Sequence, residues 1–326
     1  MALMEFKNVK KYFPVQKGFV ESLISKEQTF VRAVDDVSFE IRKGEVLGLA
    51  GESGSGKTTT GRLCVRLLKP TEGKIIYDGK DIAKAKGSNL RFLRRKIQFT
   101  FQDPTSSLNP RLTVGDAIAD ALRFQRMGTK DERKERAIET LERVGLSPAS
   151  SFYNRLPHQL SGGQRQRVVF GRAIVLEPEF VVTDEPVAMV DVSIKAQILD
   201  LMTDLKKELN LTYLFISHDL ATARHVCDRI AIMYLGRIVE VGDKDSLYED
   251  PLHPYSKGLM SAIPVPNPRI EKNEAVPRGE IPSPINPPPG CRFNPRCPKA
   301  FDRCPIEEPE LIDMGNDRLV ACHLYG

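Results

Sequence analysis

A short apolar run, Val46, Leu47, Gly48, Leu49 and Ala50, leads straight into Gly51, Glu52, Ser53, Gly54, Ser55, Gly56, Lys57 and Thr58. This order predicts a buried strand, a tight loop and then a helix, read here over Thr58 to Leu68. Every specified position of the Gly-x4-Gly-Lys-Ser/Thr pattern is filled. Glycines at 51, 54 and 56 permit positive φ and close backbone approach, so successive N–H groups can converge on an anion with a helix N-terminus behind them. The anion this pattern suits is a nucleotide phosphate. Lys57 would reach its β- and γ-oxygens, the Thr58 hydroxyl would ligate Mg²⁺, and Thr59 completes the candidate binding set.

A second strand signal, Phe180, Val181, Val182 and Thr183, ends in Asp184, Glu185 and Pro186. The two carboxylates suit different tasks: Asp184 the magnesium shell, Glu185 the orientation and deprotonation of an attacking water. Just upstream runs Leu160, Ser161, Gly162, Gly163, Gln164, Arg165, Gln166 and Arg167. Ser161 and two glycines at a helix start offer a hydroxyl and bare N–H groups to an anion. The same residues also read as an ordinary N-cap ahead of a basic helix.

In this order the motifs resemble those of the ATP-binding subunits of ABC transporters, whose signature is the Ser-Gly-Gly-Gln-Arg-Gln-Arg run. The resemblance implies a phosphate-loop α/β core with a mixed sheet, an antiparallel β subdomain and a helical subdomain presenting the signature. It implies ATP with Mg²⁺, sandwiched between the phosphate loop of one subunit and Ser161, Gly162, Gly163 and Gln164 of the facing one. By the same resemblance Gln102 is the glutamine that touches Mg²⁺ and the attacking water, and His218 is the histidine that contacts the γ-phosphate. Phe13, or its neighbour Tyr12, is the aromatic that stacks on adenine. The loop after Glu185 departs from the family's Ser-Ala-Leu-Asp, reading Ala188, Met189, Val190 and Asp191. Asp191 is retained, so the dimer-spanning loop is expected to survive without its serine hydroxyl.

With 326 residues, 41% hydrophobic and 28% charged, the chain can bury a full core and carry an appendage. Its formal charge of +5 is spread without dense basic-aromatic blocks, so nucleic acid is not an indicated partner. No apolar run approaches the roughly 20 residues of a bilayer span, and Met1 to Lys11 lacks a secretory core. A soluble, cytoplasmic chain is therefore expected.

Met4 to Asn8 and Val31 to Ile41 read as strands around a polar insert from about Val15 to Thr29. A helical pattern occupies about residues 103–175, including Val114 to Phe124 and Lys130 to Val144. Strands and helices then alternate through Met233, closed by a hairpin-like Tyr234 to Glu240. The expected division is an ATPase domain over 1–250 and a C-terminal extension over 251–326. Nine of the chain's 23 prolines fall between Pro264 and Pro289, which predicts an extended, loop-like stretch.

The extension contains Pro251, Leu252, His253, Pro254 and Tyr255, and later Pro287 to Pro298, with Cys291, Arg292, Phe293 and Cys297. Both stretches resemble the tail of the oligopeptide and dipeptide branch of ABC importers. Thr58 to Arg62 and Ser106 to Arg111 look more like the second of the two ATPases those permeases use. Of six cysteines, Cys291, Cys297, Cys304 and Cys322 gather here, while Cys64 and Cys227 read as ordinary buried thiols. In a cytoplasmic chain the gathered four read as metal ligands rather than disulfides. Their spacing does not follow Cys-x2-Cys zinc or ferredoxin patterns. The family resemblance implies a [4Fe-4S] cluster, with zinc or no metal as alternatives. A short tail with little apolar core would then be fixed mainly by its metal.

The resemblance as a whole implies a subunit on the cytoplasmic face of the membrane that energises peptide import. Its partners would be two transmembrane permeases, a paired ATPase in a heterodimer or homodimer, and indirectly an extracellular peptide-binding protein. Nickel and oligosaccharide importers share this type of tail. A non-transport ABC ATPase would typically show coiled coils or tandem cassettes, and an iron-sulfur redox protein would couple potential to turnover.

Overall fold

Alternation of buried and outward side chains makes two long strands, β1 (Ala2–Pro14) and β2 (Phe30–Arg42), each longer than its apolar centre suggests. Pairing extends β1 past Asn8: Lys10 lies opposite Glu72, and the two form a 2.8 Å ion pair. The five residues of β3 (Val46–Ala50) are all buried and lead through the glycine loop to α1 (Lys57–Cys64). This helix ends four residues before Leu68. Arg66 turns into the left-handed region at φ +57°, and its Nε donates to the Ile82 carbonyl at 2.7 Å, which draws the chain out of the helical path. Then come β4 (Glu72–Tyr77) and β5 (Lys80–Asp81), completing an antiparallel sheet of order β2-β1-β4-β5. Phe6 and Phe39 stack within it, centroids 4.6 Å apart.

A computed structural model describes residues 1–15, 28–188, 190–263 and 279–326. The polar insert read over Val15 to Thr29 lies largely outside them, as do residues 264–278 of the proline-rich stretch. The rest of that stretch, 279–289, contains no helix or strand. The chain forms two units: one of Met1, 42–46 and 84–216, the other of 2–41, 47–83 and 217–326.

The first unit begins with α2 (Gly87–Lys96) and β6 (Ile97–Thr100). Five helices follow: α3 (Pro104–Ser107), α4 (Val114–Phe124), α5 (Lys130–Arg143), α6 (Ala149–Tyr153) and α7 (Gly162–Ile174). The helical pattern read over 103–175 is thus present, with α5 started by a Thr129/Glu132 capping box. The apolar run at 180 forms β7 (Phe180–Asp184), followed by α8 (Val192–Leu209) and β8 (Thr212–Ser217). Strands β6, β7 and β8 are parallel in that order, all five residues of β7 buried, so Asp184 emerges at the carboxyl end of a rigid central strand.

The second unit resumes with α9 (Leu220–Val226), then β9 (Arg229–Tyr234) and β10 (Arg237–Asp243), hairpinned through Leu235 and Gly236 at positive φ. Strand β3 pairs with β9 in parallel and β10 with β9 in antiparallel, so this sheet is mixed. After α10 (Lys244–Glu249) and α11 (Pro254–Ser261), the extension adds β11 (Ile312–Asp313) and β12 (Leu319–Val320), the latter pairing with β10. The extension also contributes to the core. Phe293 is 1% exposed and packs against Tyr234 and Tyr255, centroids 5.3 and 5.4 Å away. Aromatic packing is therefore one source of its order, besides any metal.

Candidate functional site

The glycine loop has a backbone only glycine can supply. Gly51 and Gly56 hold φ of +150° and +108°, and a Cβ on them would lie 2.1 Å from the Met233 carbonyl oxygen and 2.2 Å from that of Ala33. Gly56 caps α1 without any side-chain hydrogen bond, and the start of a helix is a favourable place for an anion. Lys57 is buried, and its Nζ curls back to donate to the carbonyls of Gly51 at 2.8 Å and Glu52 at 2.9 Å. Ser55 Oγ is buried with no hydrogen-bond partner. An uncapped helix start, an orphan hydroxyl and a buried ammonium around one concave loop fit a polyphosphate. Within this loop the Thr58 hydroxyl is an oxygen donor of the kind a hard Mg²⁺ prefers. Ser53 and Gly54 are exposed, and Thr58 and Thr59 half-buried.

In the same unit, Tyr12 is committed elsewhere. Its hydroxyl donates to Asp35, whose carboxylate also takes the Arg292 guanidinium. Burial alone would raise Asp35, but these hydrogen bonds hold it below the usual carboxylate range. Phe13 has its ring half-exposed, with the Lys11 ammonium 4.9 Å from its centroid, and so is the aromatic with a face to offer. His218 is exposed after β8, where Asp219 begins α9 by accepting from the Thr222 N–H.

In the other unit the structure joins two residues that the sequence placed 83 positions apart: Gln102 Nε2 donates to Glu185 Oε2 at 2.7 Å. Glu185 sits at φ +48°, a left-handed conformation costing a non-glycine residue about 1–2 kcal/mol. Its N–H donates to the Ile216 carbonyl at 2.9 Å, which fixes the turn and aims the carboxylate. Asp184 is 4% exposed. Asp191 begins α8 with no side-chain cap. Between them, Met189 lies outside the described residues, so the departure at 188–190 is only partly seen.

The signature begins α7 as a complete capping box: Gln164 N–H donates to Ser161 Oγ at 3.3 Å and Ser161 N–H to Gln164 Oε1 at 3.0 Å. The N-cap reading of Ser161 therefore describes this chain. Gly162 is open, whereas a Cβ on Gly163 would lie 2.5 Å from Ile194 Cγ2, so the second glycine serves packing. The basic residues are less solvated than the sequence suggested: Arg167 donates to the Val144 carbonyl at 2.8 Å and Arg172 to that of Ser107 at 2.5 Å.

Cys64 and Cys227 are fully buried, as expected, and none of the six cysteines is in a disulfide. Among the described residues there is no group of three or more His, Cys, Asp and Glu side chains that could hold a metal ion, so the metal-binding extension read from sequence is not shown. The tail thiols nonetheless sense one another. Burial pushes Cys291 up to about 12, and the charges of Cys322, Cys304 and Cys297 add to that. Backbone N–H groups of Phe293, Lys299 and Leu324 act in the opposite direction on Cys291, Cys297 and Cys322, each from two residues ahead.

Arg292, Arg296 and Tyr255 were missed as site residues. They stand inside the stretches that marked the tail, and the only available signal was the two arginines set between cysteines. Arg296 forks onto Glu52 of the glycine loop, Nη1 at 2.8 Å and Nη2 at 3.1 Å.

A glycine cradle at a bare helix start, with acidic residues ending a parallel strand, defines a phosphate-loop nucleotide-binding protein. Residues 34–188 match the family model described as ABC transporter, and residues 239–304 that of the oligopeptide/dipeptide transporter C-terminal region. The oligopeptide transport ATP-binding protein AppF of Bacillus subtilis is 48% identical over 326 residues, 99% of this chain and 97% of that one. The ATP-binding cassette MJ0796, solved as a post-hydrolysis dimer with ADP and Pi, superposes with a TM-score of 0.64 at 31% identity, covering 74% of this chain and 98% of that one. The cbiO1 protein of Clostridium perfringens, part of the ABC transporter complex cbiONQ, gives 0.64 at 25% identity over 76% and 91%. The chain belongs to the ATP-binding subunits of the oligopeptide/dipeptide ABC transporter family.

Proposed function

We propose that this chain hydrolyses ATP to energise the import of peptides through membrane permeases. The carrying observation is the coexistence of an ATPase core with a tail matching the oligopeptide/dipeptide transporter region, end to end with a relative named for oligopeptide transport. No described helix is long and apolar enough to cross a membrane, so translocation needs partner subunits. We place the chain, as the second-ATPase type, at the cytoplasmic face beneath two permeases, beside a paired ATPase or a second copy of itself.

In this reading Lys57 leaves the Gly51 and Glu52 carbonyls for the β- and γ-phosphates, and the N–H groups of residues 53–58 take the remaining oxygens. Thr58, Asp184 and Gln102 would hold Mg²⁺, which would supply neutralisation of phosphate charge. Phe13 stacks on adenine. Glu185, oriented by Gln102, draws the proton from the attacking water, while His218 donates to the γ-phosphate. Ser161, Gly162, Gly163 and Gln164, with Asp191, complete the site of the facing subunit, so ATP closes the pair and hydrolysis releases it. The test is reconstitution with two permeases and a peptide-binding protein. ATP-dependent uptake of labelled oligopeptide is expected; uptake of nickel or oligosaccharide instead would reassign the cargo.

We also propose that Cys291, Cys297, Cys304 and Cys322 hold a [4Fe-4S] cluster. Supporting this are the mutual electrostatic coupling of the thiols and the three backbone N–H groups aimed at sulfur, a common way of stabilising cluster-bound thiolates. The cluster would supply a structural staple and a redox-active centre. Anaerobically purified protein is expected to be brown, with about four irons per chain; colourless protein carrying zinc would refute it.

A further inference from the structure

The glycine loop is held from outside itself by the tail. Each polar group of Glu52 is taken. Its N–H donates to Tyr255 Oη at 2.9 Å, its carbonyl accepts Lys57 Nζ at 2.9 Å, and both carboxylate oxygens accept the Arg296 fork. The fork is itself rigid. Arg296 is 7% exposed, its guanidinium lies 5.8 and 5.9 Å from the centroids of Tyr234 and Phe293, and Nη1 also reaches Tyr234 Oη at 3.4 Å. The bond to Glu52 raises the Arg296 pKa, so the guanidinium keeps its charge. Tyr255 is fully buried with its ring 4.6 Å from Tyr234. The far side of the loop is pinned by the Gly236 N–H on the Ser55 carbonyl at 2.8 Å.

We propose that Arg296 and Tyr255 are positioning residues for ATP, bracing the phosphate loop through Glu52. This inference rests on the reading of residues 51–58 as the nucleotide cradle. When Lys57 leaves the Glu52 carbonyl for the phosphates, the loop loses one side-chain anchor, and the arginine and tyrosine are side-chain anchors on Glu52 that remain. The brace acts in two ways. It fixes the start of the cradle, so the N–H groups are ordered before ATP arrives. It also neutralises a carboxylate that would otherwise repel a polyphosphate from within the loop. Arg296 directly precedes Cys297, so the order of the cysteine-bearing tail is in mechanical series with the cradle.

The test is calorimetric titration of the full chain with Mg-ATP, alongside KM and kcat and thermal melting. Arg296→Gln leaves Glu52 charged and loose, and is expected to raise Kd about tenfold, or about 1.4 kcal/mol. KM should rise with it and kcat should stay within about twofold. Glu52→Gln loses the brace but also the repulsion, so about threefold is expected, and the double variant should be no weaker than Glu52→Gln alone. Tyr255→Phe keeps the ring stacking and removes the acceptor, for a further expected rise of about threefold. Additive effects of the two charge substitutions would overturn the brace, as would a lowered melting temperature with unchanged Kd. If Arg296→Gln does not fold, unchanged affinity in both Glu52→Gln and Tyr255→Phe overturns it. A folded wild-type chain that takes up no Mg-ATP would sink the cradle reading and the brace together; wild-type binding with unaltered variants sinks the brace alone.

Discussion

Glu185→Gln is expected to slow ATP turnover about a thousandfold while Mg-ATP still binds, because a general base contributes roughly 10²–10⁴ and an amide cannot take the proton. The substitution keeps the shape of the side chain at a strained position. Gln fits φ +48° no worse than Glu does, and the turn is held by the main-chain bond to Ile216 rather than by the carboxylate. What is lost is the basic carboxylate alone, since the amide oxygen can still accept from Gln102 Nε2, which now meets the carboxylate at 2.7 Å. Ground-state binding depends on the glycine loop and should survive, so hydrolysis stops with ATP in place and the closed pair accumulates. Single-turnover hydrolysis and gel filtration with Mg-ATP read the two parts separately. Unchanged turnover would remove Glu185 from the role of base. A fall in ATP affinity as large as the fall in rate would instead mark it as a binding residue.

Much of this was legible before any coordinates because the chemistry is local. Val46 to Thr58 spells strand, loop and helix in sequence order, and α4 and α5 follow their apolar periodicity almost to the residue. The Gln102–Glu185 bond needed the family resemblance, since no local pattern links a loop after β6 to the end of β7. The illegible parts are those where a long-range partner decides the outcome. Helix α1 stops at Cys64 because Arg66 finds the Ile82 carbonyl, which no helix propensity encodes. Strand β1 runs past Asn8 because Glu72 lies opposite Lys10. The tail looked poor in apolar residues, and its packing is shared with the rest of its unit: Phe293 meets Tyr234 of β9 as well as Tyr255 of α11, and Arg292 meets Asp35 of β2. Arginine between cysteines reads as a surface residue until its acid is found.

Lys57→Ala is expected to weaken Mg-ATP binding at least a hundredfold without unfolding the chain. The Lys57 side chain is buried and already tethered by the carbonyls of Gly51 and Glu52, so little side-chain entropy remains to be lost when phosphate replaces those acceptors. Hydrogen bonds to charged groups are worth about 1.5–3 kcal/mol each, and losing two to phosphate oxygens amounts to about 3 kcal/mol or more, a factor of a hundred. The loop itself does not need the lysine to keep its shape. The left-handed glycines, the contacts to the Met233 and Ala33 carbonyls and the Gly236–Ser55 bond all remain. Thermal melting with and without Mg-ATP distinguishes these outcomes. The wild-type chain should melt higher as nucleotide is added, and the variant should melt near the wild-type apo temperature with no response. A variant that still gains stability from Mg-ATP would move the principal phosphate contact away from Lys57, and with it the assignment of residues 51–58.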